Sequence, residues 1–376
     1  MTPRSAYSRR IVVHALAGLC LAAAAAGARE GAWKEAAVGR PIALPADHAS
    51  HPAYKLEWWY YTGNLDAAGG GRFGYQLTFF RIGVDPSPAN PSRWAVRDLY
   101  MSHLALSDVN GRRYQFTERM NRAGPGWAGA ATDRYRVWNE DWEATIDPGG
   151  VHHLQARTPA FAIDLHLVQD RPPALHGDHG YSRKGTAPGN ASHYYSLTRM
   201  PTRGTISLAG RALDVTGLSW MDHEFGTSFL EPEQVGWDWF SIQLDDGRDL
   251  MIFQLRRADG SIDPHSSGTL VEPDGTTTAI TLESGFRLQP GRVWRSSVSG
   301  SRYPVGWTVS LPRPAINLTV AAALDDQELH TEHSTGVTYW EGAIDVTGQV
   351  RGRPVKGRGY LEMTGYSGMP MGGFMR

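Results

Sequence analysis

Glu57-Trp58-Trp59-Tyr60-Tyr61-Thr62-Gly63-Asn64-Leu65 is a strongly strand-prone run. A glycine-rich turn from Ala67 to Gly71 separates it from Phe73-Gly74-Tyr75-Gln76-Leu77-Thr78-Phe79-Phe80-Arg81. Two β-rich runs around a glycine turn form a hairpin, and side chains alternate along a strand. Tyr75, Leu77 and Phe79 are therefore expected on one face.

The same texture continues outward. Strand-like runs follow at Leu99 to Leu106, Arg113 to Phe116, Tyr135 to Trp138, Trp142 to Ile146, His153 to Ala156 and Phe161 to Leu167. Further runs lie at His193 to Arg199, Thr205 to Leu208, Val337 to Val346 and Gly359 to Met363. Asn110-Gly111 and Pro148-Gly149-Gly150 punctuate them. No long amphipathic helix stands out. Trp (13), Tyr (15) and Gly (43) are all abundant, which suits strands and turns rather than helices. The expected fold is all-β, with roughly twenty short strands in two antiparallel barrels or sandwiches.

The second half opens like the first. Trp237-Asp238-Trp239-Phe240-Ser241-Ile242-Gln243-Leu244-Asp245 echoes Trp58 to Asp66, and Leu250 to Arg256 echoes Tyr75 to Arg81. Trp58 pairs with Trp237, Leu65 with Leu244 and Arg81 with Arg256. Two related β units follow, expected at residues 29–211 and 212–376.

With 376 residues and a formal net charge of -1, the chain can build two cores and has no basic stripe. Nucleic acid and anionic membrane surfaces are poor matches. Arg9-Arg10 precede an apolar run from Ile11 to Ala26, and Ala26-Gly27-Ala28 fits a small-x-small cleavage site. Residues 1–28 are therefore expected to be an export signal, of twin-arginine or general type, delivering a periplasmic or secreted protein. A single membrane anchor is the alternative, although the run is short for a span. Once the signal is cleaved, no stable span is expected. The one cysteine, Cys20, lies in this run and follows Leu19, which is not the small residue a lipoprotein needs. The remaining chain then has no disulfide and no thiolate site.

Chemistry concentrates at Ser219-Trp220-Met221-Asp222-His223-Glu224-Phe225-Gly226-Thr227. If extended, this segment points Asp222 and Glu224 to one face and His223 to the other. Two carboxyls beside aromatic surface can acquire separated pKa values, because desolvation and like charge both penalise the second ionisation. The rival reading is a loop whose charges face water. His176, Asp178 and His179 are residue types that bind metals, and His193 or Asp222 could complete a set, but their spacing does not define a site. No metal and no cofactor is expected. Gly69-Gly70-Gly71 is a hairpin turn, not a phosphate loop. No Gly-x-Ser-x-Gly elbow accompanies Ser182-Arg183-Lys184, which argues against a serine hydrolase.

Several ordered motifs together resemble the AttH-type secreted proteins, which are related to the carotenoid 1,2-hydratases. They are Glu57 to Leu65, the loop His176 to Gly185, the strand His193 to Arg199 and Ser219 to Gly226. Tyr339-Trp340-Glu341-Gly342-Ala343 and Gly357 to Tyr366 complete the set. The resemblance spans nearly all of the chain after the signal. It implies two tandem lipocalin-like barrels. The hydratases carry His-x-Trp after an aspartate; here the sequence is His223-Glu224-Phe225, with Phe225 replacing the tryptophan. The expected function is binding of an apolar, isoprenoid or lipid-like ligand, with water added to a C=C bond. A non-enzymatic carrier serving an envelope ABC transporter is the alternative, and a secreted hydrolase is a weaker one. Asp222, Glu224 and His223 are the expected catalytic groups, as acids and water holder. The expected ligand contacts are Glu57, Trp59, Tyr194, Tyr195, Trp220, Trp237, Trp239, His176 and Asp178.

Overall fold

A computed structural model describes residues 32–368, except Pro88, Pro188 and Phe229. The expected signal segment lies outside the described residues. The chain forms two antiparallel sheets, each curled into a nearly closed barrel, as the lipocalin-like expectation requires. Among the described residues there is no α-helix, only single 3₁₀ turns at Ala46–His48 and Leu282–Ser284.

The first sheet begins with β1 (Leu56–Ala67), β2 (Arg72–Gly83), β3 (Asp98–Asp108) and β4 (Arg113–Arg122). The short β5 (Ala128–Ala130), β6 (Arg136–Asn139), β7 (Trp142–Ile146), β8 (Val151–Arg157) and β9 (Phe161–Val168) follow. After β10 (Ala174–Leu175) and β11 (Tyr181–Arg183) come two long strands, β12 (Ala191–Leu208) and β13 (Arg211–Ser228). The spatial order is β4-β3-β2-β1-β13-β12-β9-β8-β7-β6-β5. Side chains bridge the seam where the two ends meet. Asn121 on β4 donates to Asn139 Oδ1 on β6 at 2.8 Å, and Arg119 donates to the Asn139 carbonyl at 3.0 Å.

The second sheet contains β14 (Gln234–Leu244), β15 (Asp249–Arg257), β16 (Ser267–Val271), β17 (Thr277–Thr281) and β18 (Arg287–Pro290). A separate small ribbon pairs β19 (Val293–Arg295) with β20 (Arg302–Pro304). The sheet then resumes with β21 (Gly306–Leu311), β22 (Ile316–Ala322), β23 (Glu328–Thr331), β24 (Val337–Val350) and β25 (Arg353–Met363). Its order is β17-β16-β15-β14-β25-β24-β22-β21-β18.

The two orders repeat each other: β14 stands for β1, β15 for β2, β25 for β13 and β24 for β12. The repeat extends to register. Leu65 on β1 faces Gly217, and Leu244 on β14 faces Gly357. Arg81 faces Glu57, and Arg256 faces Gly236. The boundary expected at 211/212 needs correction, because it cuts the turn between β12 and β13. Both strands belong to the first sheet, and the chain crosses to the second between Ser228 and Gln234. The break is displaced because β13 closes the first sheet against β1.

Each barrel has its own apolar interior. Trp59, Tyr61, Tyr75, Leu77 and Phe79 fill the first, with the three hairpin residues together as expected. Phe240, Ile242, Trp307 and Trp340 belong to the second. A third cluster lies between the barrels and includes Tyr60, Tyr194, Trp220, Trp239, Phe253, Tyr339 and Tyr360. Period-2 alternation produces this layout. On β1, Trp59 and Tyr61 turn inward while Trp58 and Tyr60 turn toward the other barrel. Ion pairs join the rims: Arg72 meets Asp345 at 2.7 Å and Arg358 meets Asp66 at 2.7 Å.

Candidate active site between the barrels

Ser219 to Thr227 is strand, not a water-facing loop. It lies within β13, flanked on both sides by β1 and β12. Asp222 opposes Tyr60, and Glu224 opposes Trp58, so both carboxyls leave the sheet toward the second barrel. There they enter a recess of about 100 Å³ between the two barrels. The first barrel contributes Trp58, Tyr60, Gln76 and Phe80, and the second contributes Trp237, Trp239, Phe253 and Tyr339. The surroundings are largely aromatic, as a pocket for an apolar ligand would be.

Four carboxyls face this recess: Asp222 and Glu224 from the first barrel, Glu341 and Glu362 from the second. The internal repeat places two of them equivalently. Asp222 on β13 opposes Tyr60 on β1, and Glu362 on β25 opposes Trp239 on β14. Glu341 is the register partner of Glu362. Lys184, which also lines the recess, sits 3.1 Å from Glu224 Oε1, and Ser192 donates to the same oxygen. The Lys184 ammonium also lies 4.4 Å from the centre of the Phe253 ring, a cation–π contact.

Asp222 is held by donors from three sides. Trp220 Nε1 donates to Oδ1 at 2.6 Å, Ser196 Oγ donates to the same oxygen, and Tyr194 Oη donates to Oδ2 at 2.6 Å. Burial nevertheless outweighs these bonds and pushes the carboxyl up to about 7. Behind Ser196 stands His176, 2.6 Å away through Nε2, whose Nδ1 lies 2.8 Å from Thr269 Oγ1. Burial keeps His176 neutral. Trp239 donates to Tyr194 Oη at 3.1 Å, so the second barrel also supports the Asp222 site. On the opposite wall, burial pushes Glu362 up to about 7. Burial and the neighbouring Glu362 charge hold Glu341 well above the usual carboxylate range. An acid that gives and takes protons near neutral pH works best with such a pKa.

The structure gathers Asp222, Glu224, Tyr194, Trp237 and Trp239 at the recess, with Trp220 and His176 bonded behind it. It does not bring the remaining expected site residues there. His223, Glu57, Trp59 and Tyr195 point into the first barrel, because they occupy the opposite parity of their strands. Inside the barrel His223 Nε2 lies 3.0 Å from Glu57 Oε1, Tyr195 Oη lies 3.1 Å from His223 Nδ1, and Trp59 stacks on His223. Arg81 pairs with Glu57 at 3.0 Å, and His51 Nδ1 approaches it at 2.8 Å. Burial alone would raise Glu57. Hydrogen bonds from His223 and His51, with the Arg81 charge, hold it well below the usual carboxylate range. Asp178 is exposed on its loop and lies away from the recess. The mooted metal set does not assemble either, since Asp178 and His179 face outward while His176 is buried.

Sequence reading missed Glu341, Glu362, Lys184, Tyr60 and Gln76. A signal existed for Glu341: it alternates with Tyr339 and Ala343 in an aromatic run, just as Asp222 alternates with Trp220.

A family model described as AttH-like matches residues 35–366. The chain belongs to the AttH-like family. A crystal structure of a candidate AttH from Nitrosomonas europaea is 33% identical, with a TM-score of 0.80, covering 89% of this chain and 99% of that one. Kievitone hydratase from Nectria haematococca shares the fold at 13% identity and a TM-score of 0.69, covering 89% and 95%. Among curated proteins, dehydratase asqC of Emericella nidulans is 20% identical over 247 residues. That match takes in 64% of this chain and 65% of the relative, so the chain spans just under two thirds of it.

Proposed function

We propose that this AttH-like protein is a hydratase-type lyase that adds water to, or removes it from, a C=C bond of an apolar molecule held between the barrels. One observation carries this reading: Asp222 presents a buried carboxyl, poised near neutrality, to an aromatic recess that holds three more carboxyls. The hydratase and dehydratase among its relatives support it.

In the addition direction, Asp222 gives its proton to one alkene carbon and becomes a carboxylate. The positive charge left on the other carbon faces the rings of Trp58, Trp237 and Trp239, each stabilising it by roughly 0.5–2 kcal/mol where water is excluded. Water attacks that carbon, and Glu224 accepts the proton the water loses. The cycle closes when that proton returns to Asp222. Elimination runs the same steps backward. His223 takes no part, since the sheet separates it from the recess.

The test begins with native mass spectrometry of protein from its own host, to identify a co-purifying lipophile. Turnover of that compound is then followed in H₂¹⁸O. Wild type should place ¹⁸O in the product of addition or release water in elimination, and Asp222→Asn should slow either reaction about a hundredfold or more. A compound that binds but neither gains nor loses the elements of water would mark a carrier and overturn the lyase reading. Export by residues 1–28 is a separate proposal. Periplasmic protein lacking that segment would support it; full-length cytoplasmic protein would refute it.

A further inference from the structure

The recess contains polar atoms, contributed by both barrels, that the lyase chemistry does not use. Gln76 Oε1, Tyr60 Oη and Glu341 Oε1 are buried without a partner in good hydrogen-bond geometry among the described residues, although the Tyr60 hydroxyl and the Glu341 carboxyl lie close enough to influence each other. All three residues line the same recess. Gln76 is fixed in orientation, because its Nε2 donates to Thr78 Oγ1 at 3.0 Å. Buried polar atoms are almost always well paired, so three without well-placed partners around one recess mark a place where a bound molecule supplies them.

The chemistry of the three atoms narrows what that partner is. Two are carbonyl or carboxyl oxygens and the third is a phenol, so this part of the recess favours hydrogen-bond donors. An anion is disfavoured, because four carboxyls share the recess and Lys184 is engaged by Glu224. A permanent cation is less suited than a neutral donor, since burial favours the uncharged form of Glu341 and Glu362. We propose that Gln76, Tyr60 and Glu341 form a subsite for a hydroxyl group, so that the ligand is an apolar ring compound bearing an alcohol or phenol. This rests on the reading of the recess as a ligand site, but not on Asp222 being an acid catalyst.

The test uses four probes of one shape: 2-naphthol, 2-methoxynaphthalene, 2-naphthoate and 2-(aminomethyl)naphthalene. Their binding is read by quenching of tryptophan fluorescence, with Trp58, Trp237 and Trp239 in the walls. Wild type should bind 2-naphthol about tenfold more tightly than 2-methoxynaphthalene, as expected for a hydroxyl meeting a strong buried acceptor. Tyr60→Phe and Glu341→Gln should each reduce that ratio, and Glu341→Leu should bring it below twofold. Near-UV circular dichroism identifies any variant that has lost its fold; Tyr60→Phe removes a single oxygen and keeps the question open to an answer if Glu341→Leu fails. Equal binding of the naphthol and its methyl ether would overturn the subsite. So would tightest binding of the naphthoate or the amine, or a ratio unchanged in both Tyr60→Phe and Glu341→Gln. If Asp222→Asn retains activity yet the hydroxyl preference holds, the lyase reading falls and the subsite stands. If no probe binds wild type, both fall.

Discussion

The two faces of β13 carry similar side chains into opposite electrostatic regimes. Toward the interior of the first barrel, His223 meets Glu57, and Glu57 is surrounded by Arg81, His51 and Ser50. Every charge there has a counter-charge or a donor, and Glu57 stays ionised. Toward the second barrel, one residue either side, Asp222 and Glu224 share a recess with Glu341 and Glu362, and Lys184 provides the balancing cation. Burial is severe on both faces. What differs is the supply of positive charge, and that supply decides which carboxyl is structural and which is free to exchange protons.

Removing the cation on the inner face should have the largest effect. Arg81→Leu leaves Glu57 buried without its ion pair and should cost about 3–5 kcal/mol, measured by urea unfolding. A loss below 1 kcal/mol would mean the inner network does not depend on that charge.

The pH dependence should separate the faces next. Asp222 and Glu362, raised to about 7 by burial, bind protons in the folded chain that the unfolded chain has already released. Their contribution to stability should therefore fall as pH rises from about 4 to about 7 and then level off, by about 1.4 kcal/mol per unit of separation. Glu57 has the reverse sign: its contribution is complete above its unfolded value and disappears as pH falls. Asp222→Asn should reduce the slope between about pH 4 and about pH 7, leaving the Glu362 part, without affecting the acid limb. An unchanged slope would contradict the contrast. In the proposed reaction, turnover should also decline as pH rises through about 7, because the donor must be protonated.

A smaller effect tests the repeat. Gly217 and Gly357 occupy equivalent positions, and an added Cβ would come within 2.1 Å of the Asn64 carbonyl or 2.5 Å of the Gln243 carbonyl. Gly217→Ala and Gly357→Ala should each lower stability by about 1–3 kcal/mol. Strongly unequal losses would show that the barrels share topology without sharing packing. The smallest effect is expected at the rims, where a double-mutant cycle on Arg358 and Asp66 should give under about 1 kcal/mol.

The fold was legible because strand parity and turn glycines are local signals. Glu57 to Arg81 announced the first hairpin, and Trp237 to Arg256 its second copy. The site was legible only in part. Alternation alone separates Asp222 and Glu224 from His223, yet it does not say which face is the barrel interior. Both faces here are apolar, so Trp59 and Tyr195 looked as suitable for ligand contact as Trp239 and Tyr194. Glu341 and Glu362 come close to Asp222 only when the outer walls of two barrels meet, a contact between residues more than a hundred positions apart. Asp178 misled for a simpler reason, since residue type without geometry does not make a site.

The chain passes from one sheet to the other a single time among the described residues, between Ser228 and Gln234. Each half thus brings two of the four acids and part of the greasy lining. Were the halves to part by even the width of a few water molecules, the wall groups would hydrate and give up their protons. Acidity here belongs to the seam rather than to any side chain: the molecule keeps its protons by staying shut.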